Sequence, residues 1–391
     1  MVVKLEQIIG ANAERSRSHN RQLVLGQVRR AGHSGRAEIA RASGLSTQAV
    51  SNIIAELARD GLLLEQGRSS GGRGLPAIQY ALNPAGGFAF GVEIRPRAMF
   101  AVLLDLMGRT VFSHRCTLDA CDPLAVTRQA LTLRDRALAE TNVPHHRILG
   151  VGVVMPGPFG TTALADCATE LPGWRGIDRA DWFTDAFGVP AVVENDANAA
   201  AMAEHVSGVA QDMQDYAFLY FGTGLGLGLV SQGQLVRGAF GNAGEIGHVA
   251  VPGATGAVTL EQAVSRLSVQ RHLARHHITA SDSATLAALY AQGNAALLEW
   301  LSTAAQPLCH AVALLENLFD PQSIILGGAM PDAIIDHLIA HTPQPARTVV
   351  NRPDRTLPRL LRGASGRMTA ALGAASLVIN ATFTPQLAVA V

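Results

Sequence analysis

The sequence predicts a small, mainly helical head joined to a larger α/β body built from two similar halves. Three observations predict this. Residues 36–60 divide into two short helical stretches around Ser43-Gly44-Leu45, followed by two extended segments. A strand–strand–strand run opens the body at FAFGVEIRPRAMFAVLLDLMGRTVFSHRCTL, and the pattern recurs at DYAFLYFGTGLGLGLVSQGQLVRG. Around these runs, apolar strands alternate with helical patterns, as in layered α/β domains. The 391 residues suffice for two or three domains, and 48% hydrophobic against 16% charged residues excludes global disorder.

No apolar run reaches the length of a membrane span. The segment MVVKLEQIIGANAERSRSHN lacks the apolar core and cleavage site of a signal peptide. Cys116, Cys121, Cys167 and Cys309 show no framework spacing. A reduced, cytoplasmic setting is therefore expected. Net charge is zero but unevenly spread. Residues 1–85 hold one Lys and ten Arg against five Glu and one Asp, which is 11 − 6 = +5 and leaves −5 for the rest. A basic head on an acidic body fits a head that meets a polyanion; a solvated basic helix face is the plainer alternative.

In the head, taken as residues 1–85, Arg36 to Ala42 has helical spacing and Ser43-Gly44-Leu45 makes a sharp turn. Ser46 or Thr47 caps a second helix running to about Asp60, with Val50, Ile53, Ile54 and Leu57 on one face. Two short helices with such a turn form a helix-turn-helix. The second presents Thr47, Gln48, Ser51 and Asn52 on its exposed N-terminal part, residue types that suit base edges and phosphates. LLLEQG and AIQYALN read as a strand and its return, with GRSSGGRGLP between them carrying Arg68 and Arg73. A basic hairpin of this kind is a wing, and its arginines can enter a narrow minor groove. Arg36 and Ser46 complete the candidate DNA-contacting set. A hairpin serving only dimer packing is the structural alternative.

In the body, residues 86–391 with lobes at about 86–210 and 211–391, DPLAVTRQALTLRDRALAET reads as a helix and ILGVGVVMPGP as a buried strand with a Pro-Gly-Pro exit. VPAVVENDANAAAMAEHVSG gives a strand, a polar turn and a helix. There Asp196 is a candidate N-cap, although this leaves the doubled Asn195-Asp196 pair beside Glu194 unexplained. GNAGEIGHVAV carries Glu245 and His248 three apart, either a surface turn or half a metal site. Glu261 opens the helical stretch TLEQAVSRL, and QSIILGGAMP is a late strand with a glycine-rich exit. Carboxylates, an amide and an imidazole converging on one cleft suit a polyhydroxylated ligand; structural caps are the alternative.

Taken in order, GLSTQAVSNIIAELARDGLL, GGRG-x-P, PGP, LPGWRG, ENDANAAAMAE, GTGLGLGL, GEIGHV, LE and ILGGA resemble the ROK family of repressors, open reading frames and kinases. The resemblance spans essentially the whole chain and is to the repressor branch, the N-acetylglucosamine, xylose and Mlc-type glucose regulators. It implies a winged helix-turn-helix followed by an actin-like, ribonuclease-H-like, duplicated sugar-kinase-type body. It implies that Asn195, Asp196, Glu245, His248 and Glu261 contact sugar hydroxyls, with Gly157 in the pocket floor. In the family's kinases the residue matching Asp196 is the general base.

Two departures stand out. Family kinases carry Asp-x-Gly-Gly-Thr at the first hairpin, for metal and phosphate; here Glu93, Ile94, Arg95, Pro96 and Arg97 stand there. Proline offers no amide hydrogen, so this turn cannot form a tight backbone cradle for phosphates. Family members also often carry a cysteine run that binds zinc together with the His; here the stretch is VAVPGATGAV, so no metal is expected. The expected function is a sugar-responsive, operator-binding repressor of carbohydrate genes. It works as a homodimer or dimer of dimers on double-stranded DNA, with no catalytic residue, no cofactor and no membrane partner. The rivals are a sugar kinase with a fused DNA-binding head, which the Arg95-Pro96-Arg97 turn argues against, and a regulator governed by a partner protein.

Overall fold

A computed structural model describes residues 5–69, 77–157, 171, 173–253, 256–280, 282–345, 347–364, 366 and 368–384. Arg73 lies outside the described residues. The chain opens with α1 (Leu5–Ala31), a short strand β1 (His33–Gly35), α2 (Arg36–Ser43) and α3 (Thr47–Arg59). Gly44 ends α2 at φ 72°, a left-handed angle that glycine adopts without strain, and its amide donates to Ala40 O. Ser46 starts α3 by accepting a hydrogen bond from the Ala49 amide. Val50, Ile53, Ile54 and Leu57 are buried, so the opposite side of α3 faces outward. The antiparallel pair β2 (Leu63–Ser69) and β3 (Ala77–Leu82) follows, and β1 adds to its edge in the order β1-β3-β2.

The first lobe is a five-stranded sheet of β4 (Phe88–Arg95), β5 (Ala98–Asp105), β6 (Thr110–Thr117), β7 (Ile148–Val154) and β8 (Ala191–Glu194). Its helices are α4 (Pro123–Thr141), α5 (Arg179–Phe187) and α6 (Asp196–Ser207). The second lobe holds β9 (Tyr216–Phe221), β10 (Leu225–Ser231) and β11 (Gln234–Leu235), then the hairpin β12 (Ala250–Gly253) and β13 (Gly256–Thr259). After it come α7 (Leu260–Val264), α8 (Arg266–Arg275), α9 (Ser283–Ala291), α10 (Ala295–Phe319), β14 (Ser323–Gly328), α11 (Asp332–His341), β15 (Leu360–Arg362) and α12 (Thr369–Phe383).

The two lobes repeat one topology. Strand order is β6-β5-β4-β7-β8 in the first and β11-β10-β9-β14-β15 in the second. In each, three consecutive strands pair antiparallel and two later strands add parallel to the first. The recurring triplet read in the sequence is thus the seed of each sheet.

α12 returns from the second lobe to the first and lies against α6, β4 and β7. Close approach is set by glycine. A Cβ at Gly152 would stand 1.7 Å from Ala374 O, and one at Gly373 would stand 1.8 Å from Ala199 O. The head shares this packing. Val24, Leu25 and Val28 of α1 and Ile39, Val50 and Ile54 of α2 and α3 form one cluster with Val102 of β5 and Ala371, Ala375, Ile379 and Phe383 of α12. Polar ties reinforce it: Arg147 donates to Asp60 O and Gly86 O, and Gln22 donates to Ala381 O. The division near residue 85 is therefore a change of architecture within a continuous core.

Candidate functional site

The exposed side of the head follows from its cap and its buried stripe. Ser46 uses its hydroxyl on the Ala49 amide at 3.2 Å. Thr47, Gln48 and Asn52 are exposed in the following turns, and Ser51 is partly so. Gln48 Nε2 donates to Asn52 Oδ1 at 3.1 Å, so the two amides form a linked pair on the surface. Ser51 donates to Thr47 O. Arg36 donates to the hydroxyl of buried Tyr80 and lies over its ring, which ties the start of α2 to β3. Arg68 falls on β2, beside the register shift in that hairpin.

The candidate cleft residues sit where strands end. β7 and β8 are parallel neighbours with Val154 opposite Glu194, so Gly157 and the Asn195-Asp196 pair leave the same edge of the sheet. The cap on α6 is Asn195, whose Oδ1 accepts from the Asn198 amide at 2.8 Å; Asp196 is the first helical residue and not the cap. That frees one oxygen of Asp196. Its Oδ1 takes the Ala197 amide at 3.0 Å, while Oδ2 faces the β9–β10 turn, 3.2 Å from where a Cβ on Gly222 would lie. Burial pushes the Asp196 carboxyl above its ordinary value; neighbouring amides and Arg95 oppose the rise, and Glu245 adds to it.

From the other lobe, Glu245 and His248 bracket a short 3-10 turn, with His248 Nε2 at 3.8 Å from Glu245 Oε2 and both about half exposed. Glu261 is placed differently. Its Oε2 accepts the Leu225 amide at 3.1 Å and lies 2.0 Å from where a Cβ on Gly224 would stand. This carboxylate thus braces the glycine turn after β9. Asp196 and Glu261 converge on that turn, Glu245 is near enough for its charge to act on Asp196, and Gly157 stands at the β7 edge.

Two ion pairs complete the surroundings. Glu93 is 3% exposed, and Arg95 Nε donates to its Oε1 at 2.5 Å. The other oxygen, Oε2, is buried without a hydrogen-bond partner. Burial pushes the Glu93 carboxyl up, Arg95 opposes this, and the charge of Asp196 adds to it. Arg95 lies 4.5 Å above the Phe100 ring and acts on both Glu93 and Asp196. The turn behind it is closed: Arg95 pairs with Ala98, leaving only Pro96 and Arg97 between the strands, and Pro96 O accepts the Cys121 thiol. The second pair joins the lobes. Buried Glu194 accepts from Asn198 Nδ2 and from Arg237 Nε at 2.7 Å. Beside it opens a cavity of about 300 Å³ lined by Ile177, Asp178, Arg179, Val193, Glu194 and Arg237. The sequence reading missed Arg237 as a partner. It also took Arg95 only as a residue that spoils a loop, although a spacing of two on a strand puts Glu93 and Arg95 on one face.

The sequence profile of the ROK family matches residues 90–381. The chain belongs to the ROK family. The match begins inside β4, so it covers both lobes of the ROK body and α12. The xylose repressor of Bacillus spizizenii is 26% identical over 234 residues, 59% of this chain and 60% of that repressor's own length. Among solved structures, a ROK family transcriptional regulator described as a homologue of the E. coli Mlc protein aligns with TM-score 0.72 and 20% identity, over 93% of this chain and 97% of the other. That likeness extends the shared fold through the helical N-terminal region. A ROK hexokinase from Thermus thermophilus aligns with TM-score 0.58 and 25% identity, over 74% of this chain and 97% of its own. The body therefore has the actin-like fold of ROK regulators and sugar kinases alike. Among the described residues, no helix is long and apolar enough to cross a membrane.

Proposed function

We propose that this ROK chain is a cytoplasmic, sugar-responsive DNA-binding regulator, a repressor of carbohydrate genes whose kinase-like body senses a sugar without phosphorylating it. The observation that carries the reading is α3: four residues of one face are buried, while Thr47, Gln48, Ser51 and Asn52 stand at the N-terminal end of the other. An amide pair exposed on the first turns of a second helix, with a hairpin behind it, suits a winged helix-turn-helix entering a major groove. Arg36 and Ser46 flank that face, Arg68 lies on β2, and Arg73, outside the described residues, completes the candidate set. We take residues 1–85 as the DNA-binding unit, acting as a homodimer on an inverted repeat. Residues 86–391 are the sensor, with lobes meeting near residue 210.

In the sensor, Asn195, Asp196, Glu245, His248 and Glu261 form the sugar-contacting set, with Gly157 at its floor. The relatives called xylose repressors support this reading. The hexokinase likeness keeps a kinase with a fused head as the alternative. Against that alternative stands the turn after β4, where Pro96 has no amide to give and Arg95 is engaged by Glu93. The test is a thermal-shift panel of sugars and sugar phosphates on the whole chain, followed by DNA-binding measurements with and without the hit. A ligand that binds the folded state raises the melting point, and the proposal requires that the same ligand change operator affinity. A sugar that is turned over with ATP, or a hit that leaves DNA binding unchanged, defeats it.

A further inference from the structure

On the second lobe, His272 lies on α8 and His276, four residues on, caps its C-terminal end. A separation of four at the end of a helix brings the two imidazoles to the same side, and their ring centroids are 5.0 Å apart. α10 lies across that side and brings Glu299 between them. Its Oε2 stands 3.9 Å from His272 Nε2 and 3.8 Å from His276 Nε2. The three ligand atoms lie within 4.8 Å of one another, and among the described residues no other three His, Cys, Asp or Glu side chains gather so closely.

The arrangement is held from below. Ser268 lies one turn before His272 on the same stripe and accepts a hydrogen bond from Trp300 Nε1 at 3.1 Å, next to Glu299 in sequence. Val269, Leu273, Leu297, Trp300 and Leu301 pack in the core beneath. His272 and Glu299 thus rest on two helices fixed in register, and His276 on the cap of the first, where its amide donates to Leu273 O. A second observation points to a ligand: His272 Nε2 is shielded from solvent and has no hydrogen-bond partner. Direct pairing with Glu299 does not meet this need, because 3.9 Å exceeds hydrogen-bond length. One carboxylate oxygen at nearly equal distance from two ring nitrogens leaves a gap of atomic size. Metal–ligand bonds of about 2.0–2.2 Å in a tetrahedron put donors about 3.4 Å apart, so the carboxylate closes on each imidazole by roughly 0.5 Å, and the two imidazoles, within 4.8 Å, turn toward each other to complete the set. The open side is toward solvent, where His276 and Glu299 are 44% and 59% exposed.

We propose that His272, His276 and Glu299 form a site for a divalent transition-metal ion, with Zn²⁺ the expected occupant, that clips the end of α8 to α10. Two neutral imidazoles and a carboxylate, with water in the fourth position, suit Zn²⁺ and exclude a hard-ion preference for Mg²⁺ or Ca²⁺. The site is independent of His248 and of the sugar reading. It is tested on the full chain, stripped with a chelator and titrated with Zn²⁺ by calorimetry, with Co²⁺ absorption bands as a ligand-field signature. One equivalent should bind and raise the melting point. His276→Ala and Glu299→Gln, both exposed and so tolerated by the fold, should each weaken binding at least about tenfold, while His310→Ala on the exposed side of α10 and His248→Ala should not. Failure of the parent chain to bind, or binding lost in His248→Ala but kept in His276→Ala, overturns the proposal.

Discussion

Replacing Arg95 with alanine is the sharpest probe of the closed turn after β4. Arg95 donates to Glu93 Oε1 at 2.5 Å, and Glu93 is 3% exposed with its second oxygen already unpartnered. Removing one member of a buried pair costs about 3–5 kcal/mol. The Arg95 side chain is 37% exposed, so water reaches the vacated place and the expected loss falls to about 2 kcal/mol. The loss has a pH signature. Burial already holds the Glu93 carboxyl above its ordinary value with Arg95 opposing, so the variant raises it further. A carboxyl whose folded pKa exceeds its unfolded one stabilises below the unfolded value, and that stabilisation is lost as pH rises through the folded value. The deficit of Arg95→Ala relative to the parent is therefore largest at about pH 8 and shrinks toward about pH 5. Urea unfolding midpoints at the two pH values measure it. Adding Glu93→Gln to Arg95→Ala should recover much of the loss at the higher pH, since the amide needs no cation. An equal deficit at both pH values, with no recovery by the glutamine, refutes the buried-pair account.

Asp196→Ala should leave operator affinity without sugar within about twofold and abolish the response to sugar, costing about 1–3 kcal/mol of sugar binding; fluorescence anisotropy on labelled operator reads both. Ser46→Ala removes the cap on α3 and should lower stability by about 1 kcal/mol, seen as a lower melting point. Gln48→Ala should leave stability within about 0.5 kcal/mol and cost about 1–3 kcal/mol of discrimination at one base pair, read by competition between operator variants. Gly373→Ala places a Cβ 1.8 Å from Ala199 O and should cost about 3 kcal/mol or prevent folding; an unchanged melting point contradicts the α6–α12 packing. A coupled assay with ATP, Mg²⁺ and sugar should detect no turnover near the roughly 1–100 per second of working kinases.

The parts legible in the sequence share one property: their signals are local. Val50, Ile53, Ile54 and Leu57 mark the buried face of α3, and the triplets at 88–118 and 215–238 mark the seeds of both sheets. α1 was not legible. Among its residues of described burial, from Ser16 on, the buried ones are Val24, Leu25 and Val28, a short apolar patch near its C-terminal end. What holds it is α12, more than 350 residues on, as Gln22 and Ala381 show. TLEQAVSRL reads as one helix, yet Ser265 turns extended and caps a new one. In the site, Asn195 and Asp196 were placed at the right strand end but with the cap assigned to the wrong member. The Glu194–Arg237 pair spans 43 residues and crosses between lobes, and no spacing rule reaches that far.

α6 gives the head and the cleft a common mechanical element. It begins at Asp196, beside the β9–β10 turn, and ends at Ser207. One residue before that end, Val206 O accepts a hydrogen bond from Arg29 of α1, which also lies over the Phe383 ring of α12. Twelve helical residues make a rod of about 18 Å, and packed cores resist compression, so a displacement at one end reappears at the other. The rod is not free to slide, because Ala199 sits against Gly373 with no room for a Cβ between them. A shift of the Asp196 end must therefore carry α12 with it or tilt about that contact. Either movement acts on α1, since a Cβ at Gly26 would stand only 2.8 Å from Phe383 O. A ligand can bias the head only by the difference in its affinity for two such arrangements. On the proposed reading, the shared core of α1, α6 and α12 is where such a difference would reach α3.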